Sequence, residues 1–158
     1  MITHRAVLRP EDVGALVRLA SRTGVFSQEE LNFLPAIAED IFQQGEAAGY
    51  EVLIAERAGA ILGFTIFGGI PATQDRYDLY WIATDPDAQR EGIAAELLRR
   101  TVTRIKELKG THLFIETSTR PDYAPAHAFY ERQGFPLIAV IPDYHADGDG
   151  KAIFGARL

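Results

Sequence analysis

Apolar positions along the chain follow two periods, one typical of helices and one typical of strands. From Ile93 to Leu108 they recur every three or four residues, and arginines and a lysine fill the opposite face, which predicts an amphipathic helix. The runs at 52–57 and 61–67 are short and apolar and are joined by Ala58-Gly59-Ala60, which predicts a β-hairpin.

The same reading gives an order of elements for the whole chain. The predicted strands cover 2–8, 52–57, 61–67, 77–84, 111–117, 135–141 and 151–157, and the predicted helices cover 10–23, 27–44, 92–108 and 125–133. Pro35 predicts a break or kink near Leu34, and the residues from Asp143 to Gly150 are predicted to form a turn. With no repeat and no linker, we expect residues 1–158 to form one mixed α/β domain.

Composition narrows the classes of function. The formal net charge of −6 disfavours binding to nucleic acid, and the absence of cysteine excludes a disulfide framework, a thiolate zinc site and a cysteine nucleophile. We expect no signal peptide and no membrane span, because no apolar run approaches the necessary length, and therefore a cytoplasmic location. The histidines lack metal-ligand spacing, and the acidic segment at 143–150 has Phe154 where a calcium loop needs glutamate, so no metal is expected.

The first chemical signal is a tight turn between a strand and a helix. Asp85-Pro86 ends the strand over 77–84, and Gln89-Arg90-Glu91-Gly92-Ile93-Ala94 leads directly into the long helix. The first N–H groups of a helix lack internal partners and lie at the positive end of its dipole, so they suit an anion such as pyrophosphate. The turn has neither the lysine of a nucleoside-triphosphate loop nor the three glycines of a dinucleotide fingerprint.

A second segment lies about 35 residues further along the chain. The run Ala126-His127-Ala128-Phe129-Tyr130 ends a short helix, and Gly134-Phe135 opens the next strand. Together with Gln89-x-x-Gly92-x-Ala94, this pattern resembles the GCN5-related N-acetyltransferase (GNAT) superfamily, over essentially the whole chain. The resemblance implies an α/β (α+β) fold, with a mixed, twisted sheet of six to seven strands, splayed between the fourth and fifth and flanked by about four helices.

The resemblance also implies a cofactor and the residues that hold it. Acetyl-CoA would place its pantetheine in the splay, against the backbone of Ile82 to Thr84, and its pyrophosphate on the N–H groups of Arg90 to Ala95. The implied cofactor-binding residues are Ile82, Ala83, Thr84, Gln89, Arg90, Glu91, Gly92, Ile93, Ala94, Ala95, Tyr123, Phe129 and Tyr130.

Catalytic roles follow from the chemistry of a thioester. By family analogy a backbone N–H near Ile82 would stabilise the developing oxyanion, and Tyr130 would act as general acid toward the leaving thiolate. An alkyl ammonium substrate needs a base, for which Glu116 is the first candidate and Asp78 the second; each could instead be an exposed carboxylate or a clamp for the substrate's charge.

This sequence departs from the family pattern at three positions. Arg90 replaces a common glycine, Ala94 replaces the second glycine, and Tyr123 stands where the family often has asparagine, which puts that side-chain contact with the cofactor in doubt.

The expected activity is transfer of an acetyl group to a primary amine of a small molecule by direct attack in a ternary complex. The alternatives are a protein or peptide N-acetyltransferase and a non-catalytic acetyl-CoA-binding module. A homodimer is a further expectation, because dimers are common in the family.

Overall fold

One seven-stranded sheet organises the molecule, for which a computed structural model describes residues 1–158. Its strands are β1 (Thr3–Arg5), β2 (Glu51–Arg57), β3 (Ala60–Gly69), β4 (Arg76–Thr84), β5 (His112–Ser118), β6 (Leu137–Ala146) and β7 (Asp149–Arg157). Its helices are α1 (Val13–Arg22), α2 (Gln28–Gln44), α3 (Ile93–Glu107) and α4 (Ala124–Arg132). The order of strands and helices is the one that the sequence predicts. None of the helices combines the length and the apolar character that crossing a membrane requires.

The sheet is mixed, with the strand order β1-β2-β3-β4-β5-β7-β6. Every neighbouring pair is antiparallel except β4 and β5, which are parallel and are joined through α3. This crossover puts the start of α3 just past the end of β4.

Strands β4 and β5 separate about halfway along their length. Pairing between β4 and β5 runs from Arg76↔His112 to Leu79↔Ile115 and then stops. Beyond that point β4 continues to Thr84 alongside β3, and β5 continues to Ser118 alongside β7. The splay predicted between the fourth and fifth strands is thereby confirmed.

A β-bulge lies on β4 at the point of parting. The register with β3 shifts between Ile66↔Trp81 and Phe67↔Leu79, so that Tyr80 is the extra residue. Trp81 consequently packs in the cluster under α1 and α2, whereas Leu79, two residues earlier, packs in the cluster that includes Leu98 of α3. The bulge therefore changes which face of the sheet the strand's side chains cover.

Pro35 does not divide the second helical region, and the prediction of two pieces is wrong. Helix α2 runs without interruption through Pro35, and its N-terminus carries the predicted capping box of Ser27 and Glu30. The proline removes only one backbone hydrogen bond, while burial of Leu31, Leu34 and Ala38 in the core stabilises the helix on both sides of it.

The turn predicted at 143–150 is shorter in the structure than the sequence indicates. Strand β6 continues to Ala146 and pairs with Asp149 of β7, which leaves only Asp147 and Gly148 as the connection. Ladder pairing between the two strands overrides the turn-forming composition of this segment. The first strand is shorter than predicted, at Thr3–Arg5.

Candidate active site

The N-terminus of α3 carries no side-chain cap. Gly92 occupies the cap position at φ 77°, and the first helical hydrogen bond is donated by the Glu96 N–H to the Gly92 carbonyl at 3.0 Å. The N–H groups of Ile93, Ala94 and Ala95 therefore precede the helical ladder and remain free. In contrast to the capped start of α2, this helix start can receive an external anion.

Backbone conformation explains the glycine preference of the turn. Arg90, with φ 70°, and Gly92, with φ 77°, both lie in the left-handed region that favours glycine. Gln89, Arg90, Glu91 and Gly92 are all exposed, and a Cβ added at Gly92 would meet no atom within 4 Å. The turn thus leaves open space beside Gly92 at the helix start.

Acidic side chains around the turn have arginine partners. Glu91 is bound by Arg57 at 2.9 Å, which lowers the pKa of the Glu91 carboxyl. Arg22 binds both Asp85 and Asp87, at 2.9 and 2.7 Å. These pairs offset negative charge that would otherwise repel an anion at the helix start.

The edge of β4 that faces the splay has no strand partner beyond Leu79. Ile82, Ala83 and Thr84 pair with Thr65, Phe64 and Gly63 of β3 on one side only. An extended ligand with amide groups could pair with the other side as a strand would. Ala83 is buried, while Ile82 and Thr84 are half-buried.

A cavity of about 140 Å³ lies where the two strands separate, lined by Asp78, Leu79, Tyr80 and Glu116. Asp78 is half-buried, and burial followed by the charge of Glu116 raises its pKa to about 6. Glu116 forms an ion pair with Lys151 Nζ at 2.9 Å. The structure thus brings together the two carboxylates that the sequence nominates as bases.

Lys151 is a site residue that sequence reasoning does not find. It lies on β7, its side chain is 14% exposed, and its Nζ sits 4.4 Å from the centroid of the Tyr144 ring. No local pattern marks it, because it reaches Glu116 only through the pairing of β5 with β7.

Tyr130 lies near the end of α4 and is buried against Phe154, with ring centroids 5.5 Å apart. Burial, and to a lesser extent Tyr123, raises the pKa of the Tyr130 phenol, so it stays protonated at neutral pH. Phe129 is half-buried and packs edge-on against Tyr130 at 5.7 Å. Tyr130 can therefore donate a hydrogen bond but gives up its proton reluctantly.

Tyr123 has a partner within the protein. Its hydroxyl and the Arg120 guanidinium both donate to the Val25 carbonyl, each at 3.0 Å. Val25 belongs to the loop between α1 and α2, in which Phe26 also packs on Trp81 with ring centroids 4.7 Å apart. The Tyr123 hydroxyl thus ties the segment before α4 to the segment before α2.

Comparison with known proteins agrees with this architecture. The sequence profile of the Acetyltransferase (GNAT) family matches residues 16–135. A crystal structure from Desulfovibrio desulfuricans, of a protein assigned to the GNAT acetyltransferases, is 34% identical, covers 99% of each chain and superposes with a TM-score of 0.96.

Two curated relatives match over part of their length. The [ribosomal protein bS18]-alanine N-acetyltransferase of Escherichia coli is 32% identical over 77 residues, which are 49% of this chain and 51% of that one. The mycothiol acetyltransferase of Brachybacterium faecium is 32% identical over 91 residues, 55% of this chain and 26% of that one. The matched region spans about half the length of the first relative and about a quarter of the second.

Proposed function

Because the chain belongs to the GNAT acetyltransferase family, we propose that it transfers the acetyl group of acetyl-CoA to a primary amine of a small molecule, by direct attack in a ternary complex. Residues 1–158 would act as one N-acetyltransferase domain. The observation that carries the proposal is the parting of β4 from β5, with an uncapped helix start beyond one end and a pair of carboxylates at the other.

The residues present fit the cofactor. Free N–H groups at 93–95 and the open turn at 89–92 would hold the pyrophosphate, and the unpaired edge of Ile82 to Thr84 would pair with the pantetheine amides. When bound, acetyl-CoA supplies the thioester carbonyl that the amine attacks. An N–H of β4 near Ile82 would donate to the oxygen on which negative charge develops.

Tyr130 would act at the leaving sulfur. Burial raises the pKa of its phenol, so the phenolate is a stronger base than the leaving thiolate. We therefore expect Tyr130 to keep its proton and to stabilise the thiolate by a hydrogen bond. Tyr123 takes a different part, because its hydroxyl is engaged with Val25. We propose that it shapes the wall of the site in place of the contact that asparagine makes in the family.

The charge of the cavity favours the cationic form of the acceptor amine. Asp78 and Glu116 line the cavity with only Lys151 as a nearby cation, so the site favours a positively charged amine. A protein N-terminus is the second candidate acceptor, because the E. coli relative carries a name that specifies an alanine of a ribosomal protein. A cytoplasmic location and a homodimer remain part of the proposal.

The test is an assay for free thiol, with acetyl-CoA and a panel of small amines and short peptides. We expect thiol release that depends on a small amine. Release with peptides alone would favour the second candidate, and CoA binding without release from any acceptor would show a non-catalytic binding module.

A further inference from the structure

Two carboxylates face the cavity, and the structure gives them unequal surroundings. We infer that Asp78 is the group that accepts the proton of the acceptor's ammonium, while Glu116 and Lys151 form a fixed ion pair that positions the ammonium beside it. The inference rests on the proposed function, and it reverses the order of preference that the sequence suggests.

Sheet register brings the two carboxylates to the same place. Asp78 is directly opposite Phe114, and Glu116 lies two residues beyond Phe114 on the same face of β5. Pairing ends at Leu79↔Ile115, so both side chains border the space that opens between the strands. An amine in this cavity would contact both carboxylates.

Glu116 is already committed to a counter-ion. Burial is the largest single cause and lowers the pKa of Lys151, but the hydrogen bond and the charge of Glu116, together with Tyr144, outweigh it and hold that pKa above the ordinary value. Contact with the Tyr144 ring further fixes the ammonium of Lys151 in place. The Glu116 carboxylate is therefore engaged with a cation of the protein itself, whereas Asp78 forms no ion pair.

Asp78 has no such partner, and its surroundings make it the stronger base. Burial is the largest cause that raises its pKa to about 6, the charge of Glu116 adds to it, and Lys151 acts in the opposite direction. Across β3 the opposing residue is Gly68, which has no side chain. The phenol of Tyr80 lies near Asp78 with Tyr50 beside it, and the phenol of Tyr144 lies against Lys151. Asp78 is therefore ionised at neutral pH and takes up a proton more readily than an ordinary carboxylate.

The proton balance follows from these roles. The ammonium nitrogen gives one proton to Asp78, its lone pair forms the N–C bond, and the C–S bond breaks. The departing sulfur takes the second nitrogen proton to become the thiol, next to Tyr130, and Asp78 returns its proton to solvent.

The basicity of Asp78 also limits the class of acceptor. An alkyl ammonium has a pKa of about 10.4 and an α-ammonium a pKa of about 8. Proton transfer to Asp78 is therefore about 100-fold less unfavourable from an α-ammonium than from an alkyl ammonium. We expect the acceptor to be a primary amine of low basicity, such as an α-amine.

The experiment compares pH profiles of turnover for the wild-type protein and the variants Asp78→Asn, Glu116→Gln and Lys151→Met, with alaninamide and propylamine as acceptors. The wild type should prefer alaninamide and lose activity as pH falls through about 6, where Asp78 becomes protonated. Asp78→Asn should lose about 100-fold or more in turnover. It should also lose the fall in activity near pH 6, which is the acidic limb of the pH profile.

The other two variants should move the limb in opposite directions. Glu116→Gln removes a negative charge and should shift it to lower pH, whereas Lys151→Met removes a positive charge and should shift it to higher pH. The titration of the acceptor itself is common to all four proteins, so differences between them report the enzyme.

A stability measurement shows whether Asp78→Asn still folds. A carboxyl whose folded-state pKa is raised destabilises the fold as pH rises from its unfolded value through about 6. The variant should therefore melt at a higher temperature than the wild type at pH 8, with the difference vanishing toward pH 4.

Each remaining outcome has a clear meaning. Once the titration of the acceptor is divided out, a fall in turnover near pH 6 that persists in Asp78→Asn, or that disappears only in Glu116→Gln, overturns the inference. Equal or better use of propylamine by the wild type overturns it as well. No thiol release by the wild type with any acceptor would instead overturn the proposed function.

Discussion

Tyr130 illustrates how a single side chain is suited to its proposed role by its surroundings. The phenol is enclosed by Phe154 and Phe129, and this burial makes the charged form costly. A thiol has a pKa of about 8.5, so full transfer of the Tyr130 proton to a thiolate is uphill. What the residue can supply at low cost is a hydrogen bond to the charge that develops on sulfur.

Replacement of this hydroxyl tests the proposal. Tyr130→Phe should lower turnover roughly 10- to 10⁴-fold, because the charge that develops on sulfur loses its hydrogen-bond donor, while the Kd of CoA changes little. Steady-state thiol release and calorimetric titration with CoA would measure the two quantities.

Tyr123→Phe is the matched control, since it removes a hydroxyl that is bound to Val25 rather than free for the sulfur. Equal turnover of Tyr130→Phe and the wild type would mean that another donor serves the thiolate.

At the scale of elements, the two longest helices begin in opposite ways. Ser27 and Glu30 close the N-terminus of α2 with reciprocal hydrogen bonds, whereas α3 begins at Gly92 with no side-chain cap. A missing cap leaves polar groups unpaired, at a cost of about 1 kcal/mol in typical helices. We interpret the bare start of α3 as a binding surface that an anion completes.

Substitution of Gly92 separates strain from charge. Gly92→Ala places a Cβ in open space and strains only the left-handed backbone, at about 1–2 kcal/mol. Gly92→Asp adds a carboxylate that competes for the free N–H groups and repels the pyrophosphate, so it should weaken CoA binding about tenfold more than alanine does. Titration of both variants with CoA gives the comparison, and identical Kd values would place the pyrophosphate elsewhere.

At the scale of the whole molecule, one edge of the sheet is exposed along its whole length. Strand β6 is an edge strand, and all ten of its residues are exposed, including the large apolar side chains Leu137, Ile138, Val140, Ile141 and Tyr144. Its free edge offers N–H and C=O groups that an identical strand can pair with about a two-fold axis, and Asp143 is its only acidic or basic residue other than His145.

This edge carries the proposal of a homodimer. Val140→Lys should place two like charges at such an interface and shift the protein toward the monomer, and Arg99→Glu, a charge change on the exposed face of α3, is the control. Sedimentation analysis across a concentration series would measure the distribution. A wild-type protein that is monomeric at all concentrations would contradict the homodimer.

Local features of the fold were predictable from the sequence, because their causes lie within a few neighbouring residues. The period of α3, the capping box at Ser27 and the turn around Gly92 depend on side chains close together along the chain, and all three appear where expected. The continuity of α2 through Pro35 was not predictable locally, since burial against the sheet compensates for the lost hydrogen bond.

The order of elements and the two motif-bearing turns were therefore determined by the sequence alone. Which carboxylate is free and which is paired was decided only by the tertiary structure, because Asp78, Glu116 and Lys151 come from three strands distant in sequence. Their distances depend on strand register and on the point where β4 and β5 separate, and neither leaves a trace in local composition.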